Sequence, residues 1–215
     1  MFVQVESAPA ALQRRRALTL SPQAFRRVAL AAVAVLVLIV ASGATVRLTG
    51  SGLGCPSVTV DISACVKAYG ARGYHADIEY FNRVVSGLTV LAALGLAAAA
   101  WRTNGLGRGT KLLATVAFLA TLAQAPLGAL TVHYGLNPYL VISHLLLALV
   151  ALALGVLVLL EATRVVRGGG SALPALARLG GATLLLAVAV LVVSGTVSTA
   201  AGRFPGSSGS QVVER

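Results

Sequence analysis

Five apolar segments, each close to the length of a membrane-spanning helix, dominate the sequence. They cover residues 28–46, 84–101, 112–132, 139–160 and 179–199. A helix needs about 20 mostly apolar residues to cross a bilayer. The chain is 57% hydrophobic and only 11% charged, whereas a soluble domain of this size needs far more polar surface. The sequence therefore predicts an all-α membrane protein embedded in the lipid bilayer.

The distribution of basic residues predicts how these helices are oriented. Eleven of the 17 Lys and Arg residues lie in the N-terminal tail and in alternate connecting segments, which places that side in the cytoplasm. Segment 47–83 then faces outside, and the plasma membrane is the expected location. The net charge of +11 does not indicate a nucleic-acid partner, because the basic residues flank apolar segments without interleaved aromatics. Cleavage of a signal peptide near the small residues 41–44 is disfavoured, since the preceding leader is long.

Four regions follow from this pattern. They are a cytoplasmic tail (1–27), a four-helix transmembrane unit (28–161), a cytoplasmic linker (162–178), and a fifth transmembrane helix with an outer tail (179–215). The first apolar segment ends in Ser-Gly-Ala-Thr-Val and the fifth in Ser-Gly-Thr-Val, so the fifth helix is interpreted as the start of a second repeat. We therefore expect a four-helix bundle plus one helix of an incomplete second half.

The outer segment 47–83 concentrates polar groups that are suited to chemistry. It holds both cysteines, half of the acidic residues and three arginines. Cys55 and Cys65 are too few for a zinc site. On an oxidising side of the membrane, two cysteines in one segment favour a disulfide over free thiols.

Four polar residues near the start of the second helix share one helical face. They are His75, Glu79, Asn82 and Ser86. Glu79 also stands four residues before Arg83, which is the favourable order for an ion pair. Two interpretations remain open: a solvated helix start with a carboxylate near the positive end of the helix dipole, or a carboxylate beside a buried cavity that transfers protons.

His144 is the one histidine within an apolar segment. It lies six residues beyond Pro138, hence roughly 9 Å from the outer end of its helix. Ionisable residues at that depth usually face the bundle interior and have a partner. Imidazole is a common axial ligand of heme iron, so His144 is either a heme ligand or a structural histidine. Gln124, Gly128 and Thr131 share a helix face that borders the same cavity or mediates plain helix packing.

Three stretches of the sequence resemble heme A synthase. The first is Arg-Leu-Thr-Gly-Ser-Gly-Leu-Gly-Cys-Pro at 47–56, the second is Glu-Tyr-Phe-Asn-Arg at 79–83, and the third is Gln-Ala-Pro-Leu-Gly-Ala-Leu-Thr-Val at 124–132, with His144 after it. The resemblance covers residues 42–160 well and the remainder loosely. It implies half of a pseudo-symmetric eight-helix fold that is built from two four-helix halves.

The resemblance also implies a function. Members of the family oxidise the C8 methyl group of heme O to the formyl group of heme A for terminal oxidases, and a heme b cofactor is expected in the second half. Heme O synthase and the terminal oxidase assembly machinery are the expected partners, and a homo-oligomer is compatible with this interpretation. By position, Glu79 matches the catalytic carboxylate and His144 the axial ligand of the heme iron. Asn82, Arg83 and Arg47 are the further heme-binding candidates, and the loop cysteines resemble the cysteine pair of the family.

Three departures from the family pattern leave other functions open. Asn82 stands where members usually have a second axial histidine, and Phe204 and Ser207 replace a usual His and Asp. The last three helices of the family do not follow. The chain alone is therefore expected to be inactive, as part of an oxidoreductase that further helices complete. The alternatives are a non-catalytic heme-binding or assembly protein, and a transporter half in which Glu79 relays protons.

Overall fold

The computed structural model describes residues 19–53, 74–168 and 194–195. Within these ranges the secondary structure is helical, and the only strand-like feature is an isolated backbone bridge between Leu20 and Thr103. Residues 194–195 are helical. The rest of the predicted fifth helix, most of the predicted tail and linker, and both cysteines lie outside the described residues.

Four helices that are long and apolar enough to cross a membrane make up most of the described chain. They are α1 (Pro22–Leu48), α2 (Tyr74–Arg102), α3 (Arg108–His133) and α4 (Pro138–Val166). Each has 26 to 29 residues, which corresponds to about 40 Å of helix. The predicted membrane helices are confirmed for the first four apolar segments.

Local sequence explains where two of these helices begin. The side chain of Ser21 accepts a hydrogen bond from the backbone N–H of Ala24 at 3.2 Å, and Pro22 follows it in the first turn of α1. Asn137 likewise accepts from the N–H of Tyr139 at 3.0 Å, directly before the predicted starting residue Pro138. A side-chain cap satisfies an N–H that lacks a helical partner, and proline lacks that N–H altogether.

Helix α2 begins at Tyr74, well before the apolar segment that starts at Val84. The outer segment predicted at 47–83 is correspondingly shorter, because α1 also continues to Leu48. Hydropathy detects the apolar part of α2, whereas its polar first turns agree with the helical face predicted for His75, Glu79 and Asn82.

The four helices form a bundle in which each contacts its two neighbours. Helix α1 packs against α2 and α4, and α3 packs against the same two helices, whereas the diagonal pairs have no Cα atoms within 8 Å of each other. Short turns join α2 to α3 and α3 to α4, which makes those neighbours antiparallel.

One end of the bundle is tightly packed. Phe25 and Ala29 from α1, Ala100 from α2, Ala114 from α3 and Val158 from α4 are all fully buried and belong to one cluster. The backbone N–H of Leu20 donates to the carbonyl of Arg102 at 2.9 Å, so the chain before α1 is fixed to the end of α2. We call this the closed end of the bundle.

Candidate functional site

A cavity of about 460 Å³ lies at the opposite, open end of the bundle. Ligand cavities in proteins have volumes of roughly 300–1,000 Å³. All four helices and the connections next to them contribute to its wall. The lining residues are Gly43, Val46, Arg47, Gly52, Glu79, Asn82, Arg83, Ser86, Gly87, Val90, Gln124, Ala125, Gly128, Ala129, Thr131, Val132, Leu136, Pro138, Val141 and His144.

The five residues that the sequence singled out for heme binding or catalysis all line this cavity. They come from three helices: Arg47 from α1, Glu79, Asn82 and Arg83 from α2, and His144 from α4. The predicted face of Gln124, Gly128 and Thr131 on α3 borders the same cavity. The predicted disulfide between Cys55 and Cys65 lies outside the described residues.

His144 packs closely against helix α3. A Cβ atom added at Gly128 would lie only 3.2 Å from Cε1 of the imidazole. The Nδ1 atom of His144 is buried without a hydrogen-bond partner, and so are both polar side-chain atoms of Gln124. Leaving a buried polar group unpaired costs about 1–3 kcal/mol. A polar or metal-containing ligand that contacts these atoms would therefore offset the free-energy cost of burying them unpaired.

Glu79 and Arg83 form an ion pair on the cavity wall. The Nη2 atom of Arg83 donates to Oε1 of Glu79 at 2.6 Å, which agrees with the spacing of four residues. Glu79 is only 4% exposed. A carboxylate that is removed from solvent needs such a partner, because its burial alone is costly.

Asn82 is fixed to helix α1. The hydroxyl of Ser42 lies 3.1 Å from the carbonyl oxygen of Ile39 and 2.7 Å from Oδ1 of Asn82, and it donates to Asn82 at the shorter distance. Ser42 is buried. It contacts a residue that lines the cavity, but no sequence motif singled it out as part of the site. Its only local signal is a small polar residue near the C-terminal end of an apolar helix, next to Gly43.

His75 lies on the same helix as Glu79, Asn82 and Ser86, as the predicted shared face requires, but it does not line the cavity. Its Nδ1 atom instead forms a hydrogen bond with the hydroxyl of Ser51 at 2.9 Å. Ser51 is fully buried and is also 2.6 Å from Oγ1 of Thr49. His75 lies in the first turn of α2, one turn before Glu79, and there it contacts the segment that follows α1.

The described residues contain no group of three or more His, Cys, Asp and Glu side chains that could hold a metal ion. His133, at the end of α3, is exposed and stacks edge-on against Tyr134 at 5.0 Å. His144 is therefore the histidine on the cavity wall. One imidazole suits a metal that a macrocycle already holds, because the protein then needs to supply only axial ligands.

The fold is that of a multi-pass helical membrane protein with a cavity at one end of its bundle. The profile of the COX15-CtaA family, described as cytochrome oxidase assembly protein, matches residues 73–202. This match covers more than half of the 215 residues, and the chain belongs to this family. The predicted family relationship is confirmed.

Curated relatives agree with this assignment. The chain is 33% identical over 135 residues to heme A synthase of Bacillus pumilus, a match that covers 60% of the chain and 43% of the relative. It is 35% identical over 111 residues to heme A synthase of Staphylococcus haemolyticus, which covers 51% of the chain and 36% of the relative. The matched region thus spans less than half the length of these relatives. No solved structure is significantly similar to the chain.

Proposed function

We propose that this chain forms a heme-binding half of a membrane oxidoreductase that converts the C8 methyl group of heme O into the formyl group of heme A. The observation that carries the proposal is His144, whose buried Nδ1 lacks a protein partner on the wall of the cavity. Membership of a family whose curated relatives are named heme A synthase supports it. Heme-related chemistry is thereby favoured over a transporter half.

The residues around the cavity fit a heme. His144 would hold the iron through its imidazole, and the mostly apolar wall would enclose the macrocycle. When bound, the heme supplies the iron and the substituent that is oxidised. Gly128 leaves room for the imidazole, since a side chain there would meet it at 3.2 Å.

Arg47 and Arg83 would bind the heme propionates. Both line the cavity, and Arg47 lies in the last turn of α1, at the open end. Charge-assisted hydrogen bonds between guanidinium and carboxylate groups are among the strongest in proteins. Propionates held there would point toward the headgroup region, with the apolar ring edge buried deeper in the bundle.

Glu79 is the proposed proton acceptor. Conversion of a methyl group and one water to a formyl group releases four protons and four electrons. The electrons require an external acceptor, such as a membrane quinone. Protons released within an apolar cavity need a nearby base, and Glu79 is a buried carboxylate on its wall. Arg83 would hold that carboxylate in place throughout.

The remaining parts of the proposal follow from the same reaction. Heme O synthase would deliver the substrate, the terminal oxidase assembly machinery would take the product, and the other half of the enzyme would hold heme b. The open end of the bundle would face the outside of the plasma membrane. A homo-oligomer would be one way to supply a second half.

A second candidate function is a non-catalytic heme-binding protein for oxidase assembly. Asn82 favours it, because it stands in place of the usual second axial histidine. This candidate shares the heme site but forms no heme A. The two are distinguished by the heme types that accumulate when the chain is co-expressed with heme O synthase and with the other half of the enzyme.

The heme site itself is tested by a reduced-minus-oxidised absorption spectrum and pyridine hemochrome analysis of the detergent-purified chain. We expect a heme signal that His144→Ala abolishes. His133→Ala is the matched control, because His133 is exposed at the end of α3, and it should leave the signal unchanged. A colourless wild-type chain, or heme retained in His144→Ala, would contradict the proposal.

A further inference from the structure

We propose that the heme held by His144 keeps its second axial position open for a small ligand, with the amide of Asn82 beside that position as a hydrogen-bond donor. This inference rests on the proposed function. It concerns the ligands of the iron, which family membership alone does not determine for this chain.

His144 and Asn82 lie on helices that face each other across the cavity. His144 belongs to α4 and Asn82 to α2, and both side chains line the cavity. Helices α2 and α4 are a diagonal pair that has no Cα atoms within 8 Å of each other. A macrocycle bound between them would have His144 on one side and the helix that carries Asn82 on the other.

Asn82 is a poor candidate for the second axial ligand. Heme iron in proteins is held by histidine, cysteine, methionine or tyrosine side chains, and a neutral amide is not among them. Asn82 is also shorter than histidine, and its Oδ1 atom accepts a hydrogen bond from Ser42 at 2.7 Å. This contact holds the amide against α1.

Neither of the other two histidines lies where it could be the second axial ligand of the heme iron. The sequence contains three histidines. His75 is bonded to Ser51 at 2.9 Å and does not line the cavity. His133 is exposed at the end of α3. Among the described residues that line the cavity, Glu79 has the only carboxylate, and it is paired with Arg83.

The hydrogen bond from Ser42 also determines what Asn82 presents to the cavity. With Oδ1 occupied as an acceptor, the two N–H bonds of Nδ2 remain as donors. A donor beside an open axial position would stabilise a small ligand that carries a lone pair or negative charge on its outer atom. Carbon monoxide and cyanide are suitable probes of this position.

The test is carbon monoxide binding to the dithionite-reduced, heme-loaded wild-type chain, together with cyanide binding to the oxidised form. We expect a high-spin spectrum without added ligand and a clear shift of the Soret band on addition of either probe. Asn82→His should introduce a second imidazole. It should convert the heme to a low-spin, six-coordinate form and abolish carbon monoxide binding.

Ser42→Ala tests the positioning role of the hydroxyl. It should leave the heme content and the high-spin state unchanged but weaken cyanide binding, because the amide of Asn82 is no longer oriented. A wild-type heme that is six-coordinate and low-spin, or that binds neither probe, would overturn the inference while leaving the heme site intact. A wild-type chain without heme would instead overturn the proposed function.

Discussion

At the scale of single residues, Gly128 sets how closely the imidazole of His144 approaches helix α3. A Cβ atom at position 128 would lie 3.2 Å from Cε1 and 3.8 Å from Nδ1 of His144. Carbon atoms in ordinary contact are about 3.5–4.0 Å apart. We therefore expect Gly128→Ala to displace the ring and to shift the absorption bands of the bound heme.

Gly95→Ala is the matched control for this substitution. A Cβ atom at Gly95, in helix α2, would have no atom within 4 Å. Alanine favours a helix over glycine by about 1 kcal/mol, so the Gly95→Ala variant should fold at least as well as the wild type. Equal spectra for the two variants would show that α3 does not position His144.

Glu79→Gln keeps the shape of the side chain but removes its charge. We expect heme binding to persist, because His144 and the apolar wall are unchanged. Heme A formation should fall by roughly 10²–10⁴-fold, the usual contribution of a general acid or base. The measurement is the ratio of heme A to heme O after co-expression with heme O synthase and with the other half of the enzyme.

Glu161→Gln is the matched control for Glu79→Gln, because it also removes the charge of one glutamate. Glu161 pairs with Arg164 at 3.6 Å on the surface of α4, far along the helix from His144. It should leave the ratio of heme A to heme O unchanged. An equal loss in both variants would argue against a specific role for Glu79.

Sequence periodicity predicts those parts of the site that depend on one helix. The Glu79–Arg83 pair and the face of Gln124 and Gly128 follow from spacings of four residues. The contact between Ser42 and Asn82 joins residues 40 positions apart. It depends on how α1 packs against α2, and no local pattern encodes that packing.

At the scale of helices, hydropathy predicts the apolar part of each helix and misses its polar extension. The first turns of α2 are polar, and they are held by contacts such as that between His75 and Ser51.

Helix α3 continues through Pro126, although proline removes one backbone donor. In lipid a helix is the only way to satisfy most backbone groups, so such a proline is tolerated.

The packing of α1 against α4 gives a further prediction. A Cβ atom at Gly155 would lie 2.8 Å from Cδ1 of Leu36 and 3.6 Å from Cγ2 of Val33. Small residues let membrane helices approach closely. Gly155→Val adds branched volume at this contact and should destabilise the bundle by about 1–3 kcal/mol, which a thermal unfolding midpoint in detergent would report.

Leu36→Ala provides the matched test of that contact. Combined with Gly155→Val, it removes the atoms that the new side chain meets. The double variant should therefore be more stable than the sum of the two single changes predicts. Strictly additive effects would show that these two positions do not meet in the folded bundle.

At the scale of the whole molecule, the two ends of the bundle differ in packing and in charge. The basic side chains of the described helices and turns are Arg26, Arg27, Arg102, Arg108, Lys111, Arg164 and Arg167 at the closed end, and Arg47 and Arg83 at the open end. Basic residues accumulate on the cytoplasmic side of membrane proteins. The closed end is therefore expected in the cytoplasm, so that the cavity opens toward the outside.

This orientation can be measured with single cysteines and a membrane-impermeant maleimide in intact cells. Tyr134 is 61% exposed in the turn at the open end, and Asn104 is exposed in the turn at the closed end. Tyr134→Cys should take up label beyond that of the parent chain in intact cells. Asn104→Cys should do so only after lysis, because the bilayer shields the cytoplasmic turn. The reverse pattern would place the cavity on the cytoplasmic side, and heme O would then have to enter from the cytoplasm. Cys55 and Cys65 would lie in a reducing compartment, where a disulfide is disfavoured.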